Sequence, residues 1–548
     1  MAQTESFEWV KQISGDEYIA ILNSIHDEHG NTLITGYFQG TFDFDPGPGL
    51  NYLVSDSSSD GFLGKYSAEG SLKWIKQFNT DDKIFIRSLD LDSEENIILG
   101  GSFSGTIDLN PGVQNVEFTQ SSTDAHSFIC KLDSLGNYQW AYDQKSSTNH
   151  SIAIDELNNI YSIGNFQGTV DFAPDTTEFL LYAGVYASNT FISKSDFNGQ
   201  LIWAKHYLST NTSNYGTDIV IDQSNNIITT GYMNGITDFD PTLNNQFNQN
   251  SNGEEDIYIC KLDSSGILIW AKSIGGLESD KPNHILTDPF DNIYLSGYFQ
   301  DSIDINPNLP IQNMNNLGDF NGFLLKLDSS GNYTWSIPYG GLQLTFPTCV
   351  TIDPLGDLYT TGIFKGSVDF DPGTSNFTLN SVNQSAFIQK ITDQGEFVWA
   401  KQITSENGDA YGMSICVDDS FEVYTMGVFE GNTDFGIGSP NQFLNGGTIQ
   451  DGFIHKISQN ISTVGVSELN PKGQYTISPN PATSFVQLSL GEQSNRQITI
   501  LDITGKLIEQ FRSDQEILIL DISKYTPGIY FIHIEDGYSA EVLKLVVE

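Results

Sequence analysis

Basic residues are scarce. The 548 residues hold 24 Lys and Arg against 69 Asp and Glu, a formal net charge of −45. Such a charge repels phosphate backbones and anionic headgroups, so it disfavours nucleic acid and acidic membrane surfaces as partners. It leaves cations, neutral glycans and basic proteins. No apolar run approaches the ~18 residues that would suggest a spanning helix, so no membrane span is expected. No leader with a basic start and an apolar core opens the chain. Met1-Ala2-Gln3-Thr4 reads instead as a mature export product with an added Met. Only four Cys occur. Cys130 and Cys260 occupy matching places in Phe128-Ile-Cys-Lys-Leu-Asp133 and Tyr258-Ile-Cys-Lys-Leu-Asp263, and equivalent positions of separate repeats are too far apart to pair. Cys349 and Cys416 lie in apolar strand-like runs, so four buried thiols are expected. The eight His show no His-Glu-x-x-His spacing, and no Gly-x-Ser-x-Gly elbow is present. Neither a catalytic constellation nor a cofactor is therefore expected.

Aromatic residues are plentiful, with 24 Tyr, 35 Phe and 7 Trp, and they argue for a folded chain despite the charge. The Trp residues fall at 9, 74, 140, 203, 270, 335 and 399, a near-regular series that signals an internal repeat. Three phrases recur with it. Lys261-Leu-Asp-Ser-Ser-Gly266…Trp270 reads as strand, Asp-x-x-Gly turn, aromatic strand. Asp222-Gln-Ser-Asn-Asn-Ile-Ile228 is a second polar turn between strands, with an Asp in all seven copies (27, 92, 155, 222, 288, 353, 418). Gly36-Tyr-Phe-Gln-Gly-Thr-Phe-Asp-Phe-Asp-Pro-Gly47 is the third, with an Asp at 43, 108, 171, 238, 304, 369 and 434. Each unit reads as four antiparallel strands with a small hairpin inserted after the second.

Period-two alternation without helical runs excludes a helical solenoid. Seven four-strand units predict an all-β fold, a seven-bladed β-propeller over 1–457, in which radial packing protects the sheet edges. Phe7-Glu-Trp-Val-Lys-Gln12 is a fourth-strand phrase with no unit before it, and the last unit, ending at Ile457, lacks its Trp strand. The N-terminal strand is expected to complete the last blade. Residues 458–473 read as a linker, and 474–548 as short alternating strands forming a small Ig-like β-sandwich.

The repeats resemble the SBBP-type β-propeller repeat of secreted bacterial proteins, over roughly residues 5–457. The C-terminal segment resembles the type A sorting domain of the Bacteroidetes type IX secretion system. The matching residues are Ser478-Pro479-Asn480-Pro481-Ala482, Gly505-Lys506 in Leu501-Asp-Ile-Thr-Gly-Lys506, Gly528 and Tyr530 in Pro527-Gly-Ile-Tyr530, and the terminal Lys544-Leu-Val-Val547. The resemblance implies recognition by the type IX secretion machinery, export through the periplasm, and an extracellular or outer-surface destination. It implies no single activity.

Short turns should share one face of the ring and the long, variable connections the other. The long-loop face is the candidate binding surface for a glycan or protein ligand. The pairs Asp43/Asp45, Asp238/Asp240 and Asp369/Asp371 offer hard oxygen ligands suited to Ca²⁺. A residue present in every unit, however, more readily caps a backbone turn. One Trp per unit points to packing between blades rather than glycan stacking. The reading is a non-enzymatic, exported binding or adhesion module. The alternatives are a polysaccharide hydrolase or lyase using loop acids, and a self-associating surface protein.

Overall fold

The computed structural model describes residues 4–547 except 113, 121–124, 146, 174–177, 185–186, 210–211, 243–244, 309, 317, 372, 374, 438–440, 461–475, 479–481, 483, 491–495, 503–506, 514, 527 and 536–539. All regular elements among the described residues are strands. The chain divides into two compact units, Glu5–Gln459 and one that contains Asn460–Glu548.

The larger unit is a ring of seven antiparallel four-strand meanders, a β-propeller. Their first strands are Ile19–His26, Lys83–Leu91, Ser147–Ile154, Asn214–Ile221, Lys281–Thr287, Thr345–Ile352 and Ala410–Val417. Each touches the next, and the seventh touches the first, so the cycle is closed. The seventh meander takes its fourth strand from the other end of the unit. Thr4–Gly15 pairs with Asp451–Asn460, and through Ser14–Asp43 and Gly15–Phe42 it continues onto the first meander. Gln12 Nε2 donates to Asp451 Oδ2 (2.6 Å), and the Gly15 amide to Asp451 Oδ1 (3.1 Å). Ser458 Oγ donates to Glu8 (2.6 Å) and Lys401 pairs with Glu5. This pairing carries the last strand to Asn460, past the limit at 457 that the repeat pattern suggested.

The repeated phrases have distinct structural duties. In the second phrase the Asp caps the turn joining the first two strands: Asp222 Oδ1 accepts from the Ser224 and Asn226 amides (2.9 and 2.8 Å). The fourth residue of that turn adopts the left-handed region, as Gly30, Asn158, Asn225 and Asp291 do, residue types that tolerate positive φ. Trp side chains pack against the turn between the third and fourth strands of the following meander. Those of Trp9, Trp74, Trp140, Trp270 and Trp335 lie 2.9–3.2 Å from the space a Cβ would occupy on Gly70, Gly136, Gly199, Gly331 and Gly395. The inserted hairpins clasp the preceding meander: Gly275 pairs with Asp304, Gly340 with Asp369, Thr404 with Asp434 and Leu208 with Asp238.

A buried ion pair recurs inside the meanders. Third-strand lysines meet the turn Asp in Lys65–Asp27 (2.8 Å), Lys131–Asp92 (2.7 Å), Lys194–Asp155 (3.4 Å), Lys261–Asp222 (2.7 Å) and Lys390–Asp353 (3.4 Å). Three of these lysines also donate to a turn carbonyl of the next meander, Lys65 to Ser134, Lys131 to Phe197 and Lys261 to Ser329, and the equivalent Lys326 donates to Asp393. Lys456 donates to Ala68 across the closure. Cys130, Cys260, Cys349 and Cys416 are all free thiols.

In the C-terminal unit a three-strand sheet (Thr476–Ser478, Phe485–Ser489, Ile517–Asp521) and a four-strand sheet (Arg496–Asp502, Leu507–Ser513, Gly528–Glu535, Ala540–Val547) share one apolar core. Val486, Leu488, Ile498, Ile500, Ile532 and Leu545 are fully buried in it.

Candidate functional site

The seven first strands line a lumen of about 560 Å³. Every one of them carries a register shift at the same place, where it inserts one extra residue against the second strand. Such a bulge re-aims a side chain. The extra residues are Leu22, Arg87, His150, Thr217, Asn283, Thr348 and Met413, and all seven line the lumen. The backbone device repeats while the side chains do not. Symmetry is thus broken at the axis, not in the motifs that define the ring.

Neighbouring strands are pinned just past the bulges. Asp218 accepts from Ser151 Oγ (2.7 Å) and from the Ile285 amide (2.8 Å), so it joins three meanders. The Ile152 amide donates to Ser88 Oγ (2.9 Å). Two bulge side chains add to these ties: Asn283 donates to the Pro347 carbonyl (2.6 Å) and Thr348 to the Gly412 carbonyl (2.7 Å).

At the long-loop end of the lumen, two residues before each bulge, stand Phe85, Tyr215, Phe346 and Tyr411, all half-buried. Tyr37, Tyr232 and Tyr298 occupy the adjoining second strands. Tyr215 and Tyr232 lie 4.9 Å apart at 24° and wall a depression of about 700 Å³ that shares His150 with the lumen. Lys281 sits 4.3 Å over the Tyr232 ring and pairs with Glu255 at 2.7 Å. Half-exposed aromatic faces beside hydrogen-bonding groups suit the apolar faces of a sugar ring. Sequence reasoning missed this rim because it looked for aromatics that recur in every unit, and these recur in only some.

The six acids singled out as Ca²⁺ ligands lie in three separate hairpins. Asp43 Oδ1 accepts from the amides of Asp45 and Asn51 (3.1 and 2.8 Å). Asp238 and Asp369 do the same with Asp240 and Phe247, and with Asp371 and Phe377. Asp45, Asp240 and Asp371 each cap the amide two residues on. Each carboxylate therefore holds its own loop. Among the described residues no three His, Cys, Asp or Glu converge as a metal site.

Burial raises three acids most: Asp280 to about 8, with a further push from Asp256, Asp90 to about 7, and Asp256 to about 6. Burial lowers His150 and His455 to about 4, with Arg87 adding to the effect at His150. Burial alone would also raise Asp27, Asp92 and Asp155, but lysine and the turn amides outweigh it and hold them below the ordinary carboxylate value. The raised acids bind protons in the folded state first, so they stabilise it as the pH falls from about 8. The two histidines oppose this between about 6.5 and 4, where the unfolded chain binds the extra protons. The turn acids contribute stability above about 4 and lose it as the pH falls through their depressed values. The melting temperature should therefore rise from about pH 8.5 to 6.5 and collapse below about pH 4. Scanning calorimetry across that range checks this, and a decline between 8.5 and 6.5 contradicts it.

Residues 476–548 match the family model for the secretion system C-terminal sorting domain. This C-terminal segment is a secretion sorting domain. The sorting domain implies interaction with the secretion machinery and export to the cell surface or extracellular space. Of its expected motif residues, Tyr530 is buried and donates to the Thr526 carbonyl at 2.9 Å. Gly528 opens a central strand, and Lys544 lies on the last strand, opposite Phe531. Pro479, Asn480, Pro481, Gly505 and Lys506 lie outside the described residues.

Over most of its length the chain is similar to an uncharacterized WD repeat-containing protein of Acanthamoeba polyphaga mimivirus. The two are 24% identical over 480 residues, which is 74% of this chain and 34% of that protein. It is also similar to the regulatory protein FlaEY of Caulobacter vibrioides, at 23% identity over 239 residues, 44% of this chain and 23% of that protein. The chain thus spans about a third and about a quarter of these relatives. Among solved structures, the Dos1 propeller aligns at a TM-score of 0.38 with 8% identity, covering 82% of this chain and 95% of that one. PorZ, a surface component of the type IX secretion system of Porphyromonas gingivalis, aligns at 0.23 with 10% identity, covering 96% and 81%. No helix among the described residues is long and apolar enough to cross a membrane.

Proposed function

We propose that this exported protein is a non-catalytic binding module. Its seven-bladed propeller takes an extracellular glycan at the long-loop mouth of the lumen, and its small Ig-like sandwich serves as the type IX sorting address. The observation that carries this reading is the set of seven equivalent bulges bearing six different residue types beneath an incomplete aromatic rim. A scaffold repeated for stability has been individualised at one place, which is where selection for a ligand acts. The acids best poised for proton transfer do not favour catalysis. Asp256 and Asp280 are fully buried and hold the backbone amides of Asn252 and Gly276, out of reach of a substrate.

The test is equilibrium binding of the full chain to an array of extracellular polysaccharides, with the reducing ends of each bound glycan assayed. Binding without new reducing ends is expected. Tyr215→Ala and Tyr232→Ala should each weaken it about tenfold, the scale of a lost stacking face. Release of reducing ends, or binding indifferent to both substitutions, rejects the reading.

A further inference from the structure

Arg87 stands apart in the charge pattern. It is the only Arg before residue 496, in a portion of the chain dense with acids. It is also the inserted residue of its strand, so it faces the lumen. The lysines of the repeated buried pairs are tied to carboxylates. Arg87, in contrast, makes no ion pair and no side-chain hydrogen bond among the described residues, and its buried Nε lacks a partner. Its guanidinium rests 4.8 Å over Phe85. Phe85 meets Tyr37 edge-on at 5.0 Å, and Tyr37 lies 5.9 Å from Tyr18, which is 42% exposed.

A partly buried cation without a counter-charge is costly to keep. Burial lowers the Arg87 pKa, with Tyr37 acting in the other direction. His150, on the neighbouring bulge, is neutral near pH 7, its pKa being about 4, and so adds no positive charge. Among the lining residues Arg87 is thus the one fixed positive charge, and the one carboxylate, Asp218, is bonded to Ser151 and the Ile285 amide rather than to Arg87, so the guanidinium keeps its fork of donors beside an aromatic platform leading out to solvent. A guanidinium in that state is matched by a planar carboxylate. A single charge in so acidic a unit neutralises a monoanion but leaves a phosphate dianion half uncompensated.

We propose that Arg87 seats the carboxylate of an acidic sugar, whose ring lies against Tyr37 and Tyr18 at the lumen mouth. This rests on the glycan-binding reading above and names the ligand's charged group.

With ¹⁵N-labelled arginine the full chain gives only three Nε–H signals, and Arg87→Lys identifies the one that matters. A neutral oligosaccharide carrying a single uronate residue should shift the Arg87 signal saturably and leave those of Arg496 and Arg512 in place. Binding should weaken more than tenfold for its methyl ester and for Arg87→Gln, and several-fold for Tyr18→Ala, an exposed position that leaves the fold intact. Inorganic phosphate at equal concentration should shift the signal less than the sugar acid. An unmoved Arg87 signal, equal binding of acid and ester, or tighter binding of phosphate each overturns the seat. The glycan-binding reading falls separately, when Tyr215→Ala and Tyr232→Ala leave binding of neutral glycans unchanged.

Discussion

Deletion of residues 1–13 lowers the melting temperature of the ring by ~5 °C or more and promotes association. The N-terminal strand supplies the fourth strand of the seventh meander and the backbone link to the first. Its loss removes Ile13 from the core and uncovers Phe453, Ile454 and Ile457, all fully buried in the closed ring. Each such side chain contributes about 1.5–3 kcal/mol when fully buried, so the deletion costs about 5 kcal/mol or more. Unfolding entropy of roughly 2 cal/mol/K per residue makes that ~5 °C for a ring of this size. The unpaired edge left behind is a template for pairing with another chain. Calorimetry and light scattering of the truncated protein measure both effects. A truncated ring that melts with the intact one and stays monomeric means that the closure contributes nothing.

Lys261→Ala destabilises the ring by about 3–5 kcal/mol, the usual cost of leaving one partner of a buried pair alone. Lys261 Nζ lies 2.7 Å from Asp222 Oδ2, with both side chains shielded from solvent, and it donates to the Ser329 carbonyl of the next meander. Its removal strands a buried carboxylate and frees one inter-meander tie. The exposed Lys524–Glu509 pair at 3.3 Å is the contrast: surface pairs contribute under about 1 kcal/mol, so Lys524→Ala should leave the melting of both units within error. Chemical denaturation of the two variants checks the pair of values. Equal, small losses contradict the stitching role of the buried lysines.

The ring and its closure were legible because each motif recurs, and recurrence separates a structural duty from chance. The seven Asp residues of the second phrase read as turn residues for that reason. Their lysine partners went unread, since a lysine in a strand usually signals a solvated face. A usable signal existed all the same: Lys131 and Lys261 precede the same Leu-Asp in a chain poor in basic residues. The Asp43/Asp45 pair reads as two ligands on one side of a strand only while both are taken as strand residues. The strand ends at Asp43, and Asp45 turns back to cap its own loop. The lumen was illegible on principle. A search for repeats discards the positions that vary, and Arg87 and His150 are such positions. Nothing local in the sequence marks a bulge that depends on the register between two strands.

A bound glycan should sit at the long-loop mouth of the lumen. Hydrogen–deuterium exchange of the full chain, with and without a glycan from the binding array, measures that. Protection confined to 83–87, 147–150 and 214–217, at the long-loop ends of the first strands, and to the facing segment around Tyr232 is the predicted footprint. Protection in the Asp-Pro-Gly hairpins or in the sorting domain, with those segments unchanged, contradicts it.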